Sequence, residues 1–342
     1  MRLKNLSVKI KIPKLLKEKL NNKKIYQIYE KFEKSLGIKE NFIVAVSGGP
    51  DSMALAFLAK IYSIKKNVKT KFFIINHRLR VESDNEAITV KNILKKFSIN
   101  AQILNWNGKK PTNNIQSNAR NKRYELLIRK CLKFSFNNIL LGHHQDDLFE
   151  NFFIRLLRGS GLKGLISLDK KSKVKDINLL RPMINQKKED LVFVSKNVFN
   201  FYINDPSNDD EKFQRIKVRN LIKQLEKNGL NKDKFAKTIS NLKNSNKTIR
   251  FYVNENLKKN TSFLKRENQL LVSSDFFKQP EEIIFRSLSD SLQLIGKSHY
   301  SVRGKKLENI ISKIKKNNIS KVTLGGCIIE KVNETIIIKK EY

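Results

Sequence analysis

Only two cysteines occur in 342 residues, Cys131 and Cys327, far apart and in no C-x-x-C arrangement. That scarcity excludes a disulfide framework, a zinc ribbon and an iron–sulfur cluster held within one chain, and it suits a reducing compartment. No apolar stretch approaches the ~20 residues of a membrane span, and lysines interrupt the first forty residues throughout, leaving no apolar core for a secretory signal. A cytoplasmic protein without a membrane partner is therefore expected. Acidic residues are also few, with 32 Asp and Glu against 70 Lys and Arg, for a formal net charge of +38. Lys, Asn, Ile and Phe abound together, as an A/T-rich coding bias would produce, but that bias would equally favour Glu and Asp. The imbalance needs another cause, and a polyanionic partner is the simplest. Contact with a phosphate backbone is independent of base sequence, so charge indicates nucleic acid without saying which.

Against these absences stands one dense motif. Ser47-Gly48-Gly49-Pro50-Asp51-Ser52 follows the apolar run Phe42–Val46 and precedes the apolar stretch Met53–Ala59. The order reads as buried strand, glycine turn and helix, a geometry in which backbone N–H groups and a helix N-terminus converge on a phosphate. Two glycines let the backbone approach an anion, Ser47 and Ser52 add hydroxyl donors, and Asp51 can hold Mg²⁺ or orient a reacting group. No Gly-Lys-Ser/Thr follows, so the lysine that reaches β- and γ-phosphates in a Walker loop is missing and γ-phosphate hydrolysis is disfavoured. The competing account is a glycine-rich turn with no ligand.

From residue 41 the pattern alternates as in an α/β sheet. Strands are expected at Phe42–Val46, Lys71–Asn76, Ala101–Trp106 and Asn138–Gly142, with helices near 52–65, 84–97, 115–134 and 146–158. Four strands joined by helical crossovers predict a doubly wound parallel sheet with ligands at the strand C-terminal ends. A lysine-rich loop, a strand near Asn178–Leu180 and a helix from about Lys187 follow. Residues 209–260 are charged and helical in period, and the last segment mixes a helix with β-like runs at Lys321–Leu324 and Thr335–Lys339. This divides the chain into a basic N-terminal extension (1–40), read as a solvated amphipathic helix with an RNA-touching arm as the alternative, a nucleotide-binding catalytic domain (41–222), a helical RNA-binding region (223–280) and a small α+β domain (281–342). No internal repeat is present.

The second cluster is Gly142-His143-His144-Gln145-Asp146-Asp147-Leu148-Phe149-Glu150 behind the fourth strand. On a helix starting near Gln145, Asp146 and Glu150 are four apart and Asp147 and Glu150 three apart, so the carboxylates share a face in the first turns. Acids there also suit the helix dipole, which alone could explain them. Half of the chain's four histidines fall here, however. The spacing fits no standard zinc helix, so a nucleotide and Mg²⁺ site with one acid as general base is the better account.

Ser47–Ser52 resembles the SGGxDS loop of the PP-loop ATP pyrophosphatases, which cleave ATP between its α- and β-phosphates. Taken with Gly142–Glu150 and Arg158-Gly159-Ser160-Gly161-Leu162-Lys163-Gly164-Leu165, it resembles the tRNA(Ile)-lysidine synthetase family. Further matching elements come in order: Asn76-His77-Arg78-Leu79-Arg80, Asn118-Ala119-Arg120 with Arg123-Tyr124, Leu180-Arg181-Pro182, and Asp205-Pro206-Ser207-Asn208 leading to Arg215 and Arg219-Asn220. Tyr300, Arg303 and Thr323–Cys327 resemble the C-terminal part of some members. The match runs from about residue 40 to the end, loosely over 225–280, and departs at Asn151, where the family usually has Thr or a small residue.

The resemblance implies ATP and Mg²⁺ as cofactors, and L-lysine and an isoleucine tRNA with a CAU anticodon as substrates. The reaction it implies adenylates the C2 carbonyl oxygen of the wobble cytidine; the lysine ε-amine then displaces AMP. By carry-over, Ser47, Gly48, Gly49, Pro50, Asp51 and Ser52 cradle the pyrophosphate portion of ATP, with Asp51 on Mg²⁺. His143 lies near the adenylate, Asp146, Asp147 and Glu150 orient lysine and accept its proton, and Arg120 balances charge at the reacting phosphate. His77 is assigned to the nucleotide, and Arg80, Arg181, Arg215 and Arg219 to substrate. Surface solvation would equally explain Arg215 and Arg219, one helical turn apart. A homodimer is left open. The rivals are a thiolating tRNA enzyme of the same fold, which would be expected to need cysteines near the site, and a non-catalytic RNA-binding protein with a degenerate nucleotide site.

Overall fold

The computed structural model describes residues 12–78, 81–106, 108, 115–204, 214–297, 302 and 304–341, without the side chains of residues 115–117. The chain forms two compact units, one up to Ala236 and one from Lys237 onward.

The first unit begins with α1 (Lys14–Leu20) and α2 (Lys23–Leu36), then runs β1 (Phe42–Val46), α3 (Pro50–Lys65), β2 (Thr70–Asn76), α4 (Ser83–Lys96), β3 (Ala101–Asn105) and α5 (Ile115–Phe134). It continues with β4 (Asn138–Leu140), α6 (Gln145–Leu156), α7 (Leu162–Leu165), β5 (Lys171–Val174), β6 (Ile177–Leu180), α8 (Lys188–Phe199) and α9 (Gln214–Lys227). Six strands form one sheet in the order β3-β2-β1-β4-β6-β5, parallel except for the edge strand β5, which pairs antiparallel with β6. Successive side chains of a strand point to opposite faces. Phe42, Val44, Val46, Phe72, Ile74 and Leu140 accordingly join one buried cluster with α3 and α8, while Ile43, Phe73, Ile75 and Ile139 join another with Leu127 and Cys131 of α5. Helices thus cover both faces, the doubly wound arrangement expected from the sequence. The strand order reverses between β1 and β4, which opens a crevice at their C-terminal ends.

Residues 23–36 form the expected amphipathic helix, but its apolar face is buried in the core. Ile25, Ile28, Tyr29 and Phe32 of α2 are spaced i, i+3, i+4, i+7, form one face, and are buried in the core with Leu16 and Leu20 of α1. Gln27, Glu30 and Lys31 between these positions, and the lysines on either side, hid that stripe. The lysine-rich loop after α7 contains the antiparallel strand β5.

The second unit holds most of α10 (Lys232–Asn260), then β7 (Thr261–Leu264), β8 (Gln269–Val272), a 3-10 turn at Ser274–Lys278, α11 (Glu281–Gly296), α12 (Gly304–Lys315), β9 (Lys321–Leu324), β10 (Cys327–Val332) and β11 (Thr335–Lys340). Its five strands are antiparallel in the order β7-β8-β11-β10-β9. One face of that sheet (Leu270, Val272, Ile329, Ile336, Ile338) buries against Ile284, Leu288 and Leu292 of α11 and Leu307 and Ile310 of α12. The stretch 223–280 is therefore not a helical region of its own. Its first residues belong to the nucleotide-binding unit and its end is a hairpin, turned by Asn268 in the left-handed conformation (φ 50°).

Candidate active site

The loop between β1 and α3 is built from its own side chains. Ser52 Oγ accepts from the Ser47 amide (3.0 Å) and from Ser47 Oγ (3.2 Å), and donates to the Gly49 carbonyl (3.0 Å). Pro50 occupies the first turn of α3, where its missing N–H costs nothing, and its carbonyl accepts from Ser195 Oγ of α8 at 2.5 Å. The first amides of any helix lack intrahelical acceptors, so those of Asp51 and Ser52 are available to an anion at this end of α3.

Gly48 has φ +88°, and a Cβ there would lie 2.5 Å from Ile203 Cδ1 and 2.9 Å from Val90 Cγ2. Its carbonyl accepts from the Ile203 amide at 2.9 Å, which ties the loop to the segment after α8. Gly48→Ala should therefore lose about 1–3 kcal/mol in urea unfolding, from left-handed strain plus the contact. Gly161→Ala, with φ −67° and nothing within 4 Å of the added carbon, should be near neutral. Equal losses at both positions would contradict this account of the loop.

Across the crevice, the chain leaves β4 through Gly142, whose Cα approaches the loop so closely that a Cβ would sit 3.4 Å from the Ser52 backbone. His144 then caps α6: its Nδ1 accepts from the Asp146 amide (3.2 Å), while Asp147 accepts from the His144 amide (3.0 Å). This reciprocal cap fixes the ring so that Nε2 lies 3.5 Å from both Asp51 Oδ2 and Asp147 Oδ2. Burial opposes the imidazolium, while Asp51 and then Asp147 and Asp146 favour it and raise the ring above its ordinary value. The cap works against that protonation, because Nδ1 accepts only while it carries no proton. The capped geometry is that of the neutral ring donating through Nε2, and it is the form that we favour.

Loop and cap enclose a cavity of about 370 Å³, lined by Ser47, Gly49, Asp51, Ser52, Asn76, His77, Arg123, His143, Asp147 and Arg215 among others. Burial, with Asp147 opposing and Arg181 and Arg120 assisting, pulls the His143 pKa to about 3. Burial and then Arg123, whose Nη2 is 3.5 Å from Nε2, pull His77 to about 4. Both rings are neutral at pH 7. Burial raises Asp147, but the hydrogen bond from the His144 amide and the charge of Arg215 oppose it, and the carboxyl lies below its ordinary range. Among the described residues no group of three or more His, Cys, Asp or Glu could hold a metal by itself. Asp51 Oδ1, however, is buried without a hydrogen-bond partner. One carboxylate completed by substrate phosphates is how Mg²⁺ is commonly bound, so the site fits that ion.

A family model described as a PP-loop domain matches residues 17–226. The tRNA(Ile)-lysidine synthase of Wolbachia sp. subsp. Brugia malayi (strain TRS) is 33% identical over 305 residues, covering 87% of this chain and 70% of that protein. That of Orientia tsutsugamushi (strain Boryong) is 35% identical over 312 residues, covering 87% and 69%. The chain belongs to the tRNA(Ile)-lysidine synthase family. Among solved structures, the U34-tRNA thiolase NcsA from Methanococcus maripaludis with its 4Fe–4S cluster superposes with a TM-score of 0.54 at 18% identity, over 64% of this chain and 78% of that one. At that identity the likeness shows the fold alone.

For this member of the lysidine synthase family, the structure gathers only part of the residues singled out in the sequence. Ser47, Gly49, Asp51, Ser52, His77, His143, Asp147 and Arg215 line the cavity, whereas Gly48 and Pro50 belong to the same loop without lining it. Asp146 pairs instead with Lys232 (3.3 Å), and Glu150 is buried against Arg219 (2.6 Å). Burial pushes Glu150 up, against Arg219. Arg181 is buried, donating to the Asp169 carbonyl (2.9 Å) and Ser172 Oγ (3.0 Å), where it braces the β5–β6 hairpin. Arg120 is exposed, 5.6 Å from the Tyr124 ring centroid. Arg80 and Asp205–Asn208 lie outside the described residues. Sequence reasoning missed the cap made by His144, the support from Ser195 and Ile203, and Arg123 as a cavity residue. The signal for His144 was available, since a polar side chain just before an Asp-Asp helix start is a capping pattern.

Proposed function

We propose that the chain ligates free L-lysine to C2 of the wobble cytidine of an isoleucine tRNA with a CAU anticodon, releasing AMP and pyrophosphate. The observation that carries this reading is the meeting, in one cavity at the β1/β4 crevice, of a phosphate loop without a Walker lysine and the His143–Asp147 turn. In the first step O2 of the cytosine attacks the α-phosphorus of ATP and pyrophosphate leaves. The amides of Asp51 and Ser52 and the hydroxyls of the loop hold the departing pyrophosphate, while Arg123 and Arg215 face the charge that builds at the α-phosphate. Mg²⁺ at Asp51 would neutralise phosphate oxygens when bound. In the second step the ε-amine attacks C2, AMP leaves with the former carbonyl oxygen, and the amine's proton passes to a carboxylate. Of the three acids singled out in the sequence, Asp147 is the one in the cavity, so we assign it that proton; Lys232 and Arg219 already neutralise Asp146 and Glu150. A lysine amine, ordinarily at pKa ~10.4, needs such an acceptor before it can attack.

The thiolating rival gains no support from the cysteines. Both are buried, and burial pushes Cys131 up to about 12 and Cys327 up to about 11, which leaves inert thiols. The reading is tested by incubating the protein with ATP, lysine and the isoleucine tRNA. Digested nucleosides should show a cytidine heavier by one condensed lysine, and the nucleotide products should be AMP and pyrophosphate. ADP as the main product, or an unmodified cytidine, would refute it.

A further inference from the structure

On α10, Phe251 and Tyr252 stand 60% and 56% exposed, with ring centroids 5.4 Å apart and planes at 82°. Two adjacent aromatic side chains so exposed on a helix cost solvation unless something covers them. Their own unit does not. The face of α10 that packs within it carries Val253, whose carbonyl accepts from Ser287 Oγ (3.5 Å), and Asn256, which donates to Ser287 Oγ (3.2 Å) and the Phe276 carbonyl (3.4 Å). Arg250 pairs with Asp290, and Asn246 accepts from Arg286 at 2.5 Å, which locks the rotation of α10 against α11. Phe251 is thereby held on the outward side, on one stripe with Asn244, Lys247 and Lys258, and Tyr252 lies beside it near Thr248 and Lys259. α10 carries eight Lys and Arg against Asp233 and Glu255 alone. A protein partner would need matching acids and an apolar seat. An RNA supplies phosphates for the lysines and flat bases for the rings, and stacking on an aromatic side chain is open to any base.

We propose that Phe251 and Tyr252 form a stacking platform for an unpaired nucleobase of the tRNA, with Lys247 and Lys258 on the flanking phosphates. This rests on tRNA being the substrate, and it makes the two rings positioning residues for binding rather than participants in the chemistry. The platform is tested with the full-length chain. Phe251→Ala/Tyr252→Ala should raise both the tRNA Kd, measured by filter binding, and the tRNA KM by roughly 5- to 150-fold. kcat and the ATP KM should stay within about twofold, and the log–log salt slope should be unchanged, because stacking releases no counterions. Phe251→Trp/Tyr252→Trp should keep wild-type affinity, whereas Phe251→Leu/Tyr252→Leu, of similar apolar character without a π-face, should not. Lys247→Ala/Lys258→Ala should instead flatten the slope. Wild-type tRNA affinity in the Ala and Leu variants would overturn the platform. So would a dimer in sedimentation that the Ala variant loses without any change in tRNA Kd. The Kd comparison stands by itself, so a chain that binds tRNA through these rings but makes no lysidine would refute the proposed activity and leave the platform in place.

Discussion

Asp51→Asn is expected to lower lysidine formation by at least about 10³-fold while leaving the Kd for tRNA within a few-fold and the fold intact. The expectation comes from the contrast between the two oxygens of this carboxylate. Oδ2 lies 3.5 Å from the His144 ring, but Oδ1 is buried in the phosphate loop with no hydrogen-bond partner. An unpaired buried carboxylate oxygen carries a desolvation cost that a folded chain seldom tolerates without a use for it. Beside two helix amides offered to an anion, the use that fits is a cation shared with substrate phosphates. Asparagine keeps the size of the side chain and removes its charge, so a loss of activity without loss of stability separates the electrostatic role from packing. Binding of tRNA is assigned to basic residues spread over the chain, which is why its Kd should hardly move. An Asp51→Asn protein retaining a tenth or more of wild-type activity would show that the carboxylate does not hold a cation on the reacting phosphates. A collapse in stability would show instead that its contact with His144 is structural.

Much of this site could be read in the sequence because its chemistry is local. Within the loop Ser47–Ser52 the Ser47, Ser52 and Gly49 hydrogen bonds close over six residues, and the turn Gly142–Asp147 caps its own helix, so adjacent residue types suffice to predict these contacts, though not the support from Ser195 and Ile203. The parallel sheet was legible for a similar reason: strands buried on both faces read as continuous apolar runs such as Phe42–Val46. The failures lie where a distant partner decides. Glu150 and Asp146 looked equivalent to Asp147 by helical spacing, and only Arg219 and Lys232, many residues later, withdraw them from the cavity. Arg181 sits in a family motif, yet the fold turns it onto Asp169 and Ser172. The burial of α2 was obscured by the polar and basic residues between and around its apolar stripe, and the β7–β8 hairpin by following a 29-residue helix with a helical expectation. Arg123 stands with Tyr124 as part of the family resemblance, but only the cavity shows that its side chain lines the site.

Acidification should destabilise the nucleotide-binding unit well before its carboxylates are protonated, and His77 should account for a measurable share. Burial, then the guanidinium of Arg123, holds the His77 ring at about 4 in the folded state against 6.5 for the ordinary side chain. Between those values the unfolded chain takes up a proton that the folded one refuses. The stability linked to His77 is therefore complete above about pH 6.5 and is lost as the pH falls towards 4. At about 1.4 kcal/mol per unit of pKa, the loss approaches 3 kcal/mol, less whatever solvent reaching the half-buried ring screens away. His143, drawn to about 3 chiefly by burial, adds a loss of the same sign that extends lower. Urea unfolding of wild type and His77→Gln at pH 7 and pH 4.5 isolates the His77 part, since glutamine stays neutral throughout. The variant should lose less stability than wild type between the two pH values, and the double variant His77→Gln/His143→Gln less again. Parallel losses in all three proteins would mean that the rings accept their protons without cost. Arg123 would then have to stand further from His77 than the 3.5 Å seen here, and the cavity wall built from Asn76, His77 and Arg123 would be open to water.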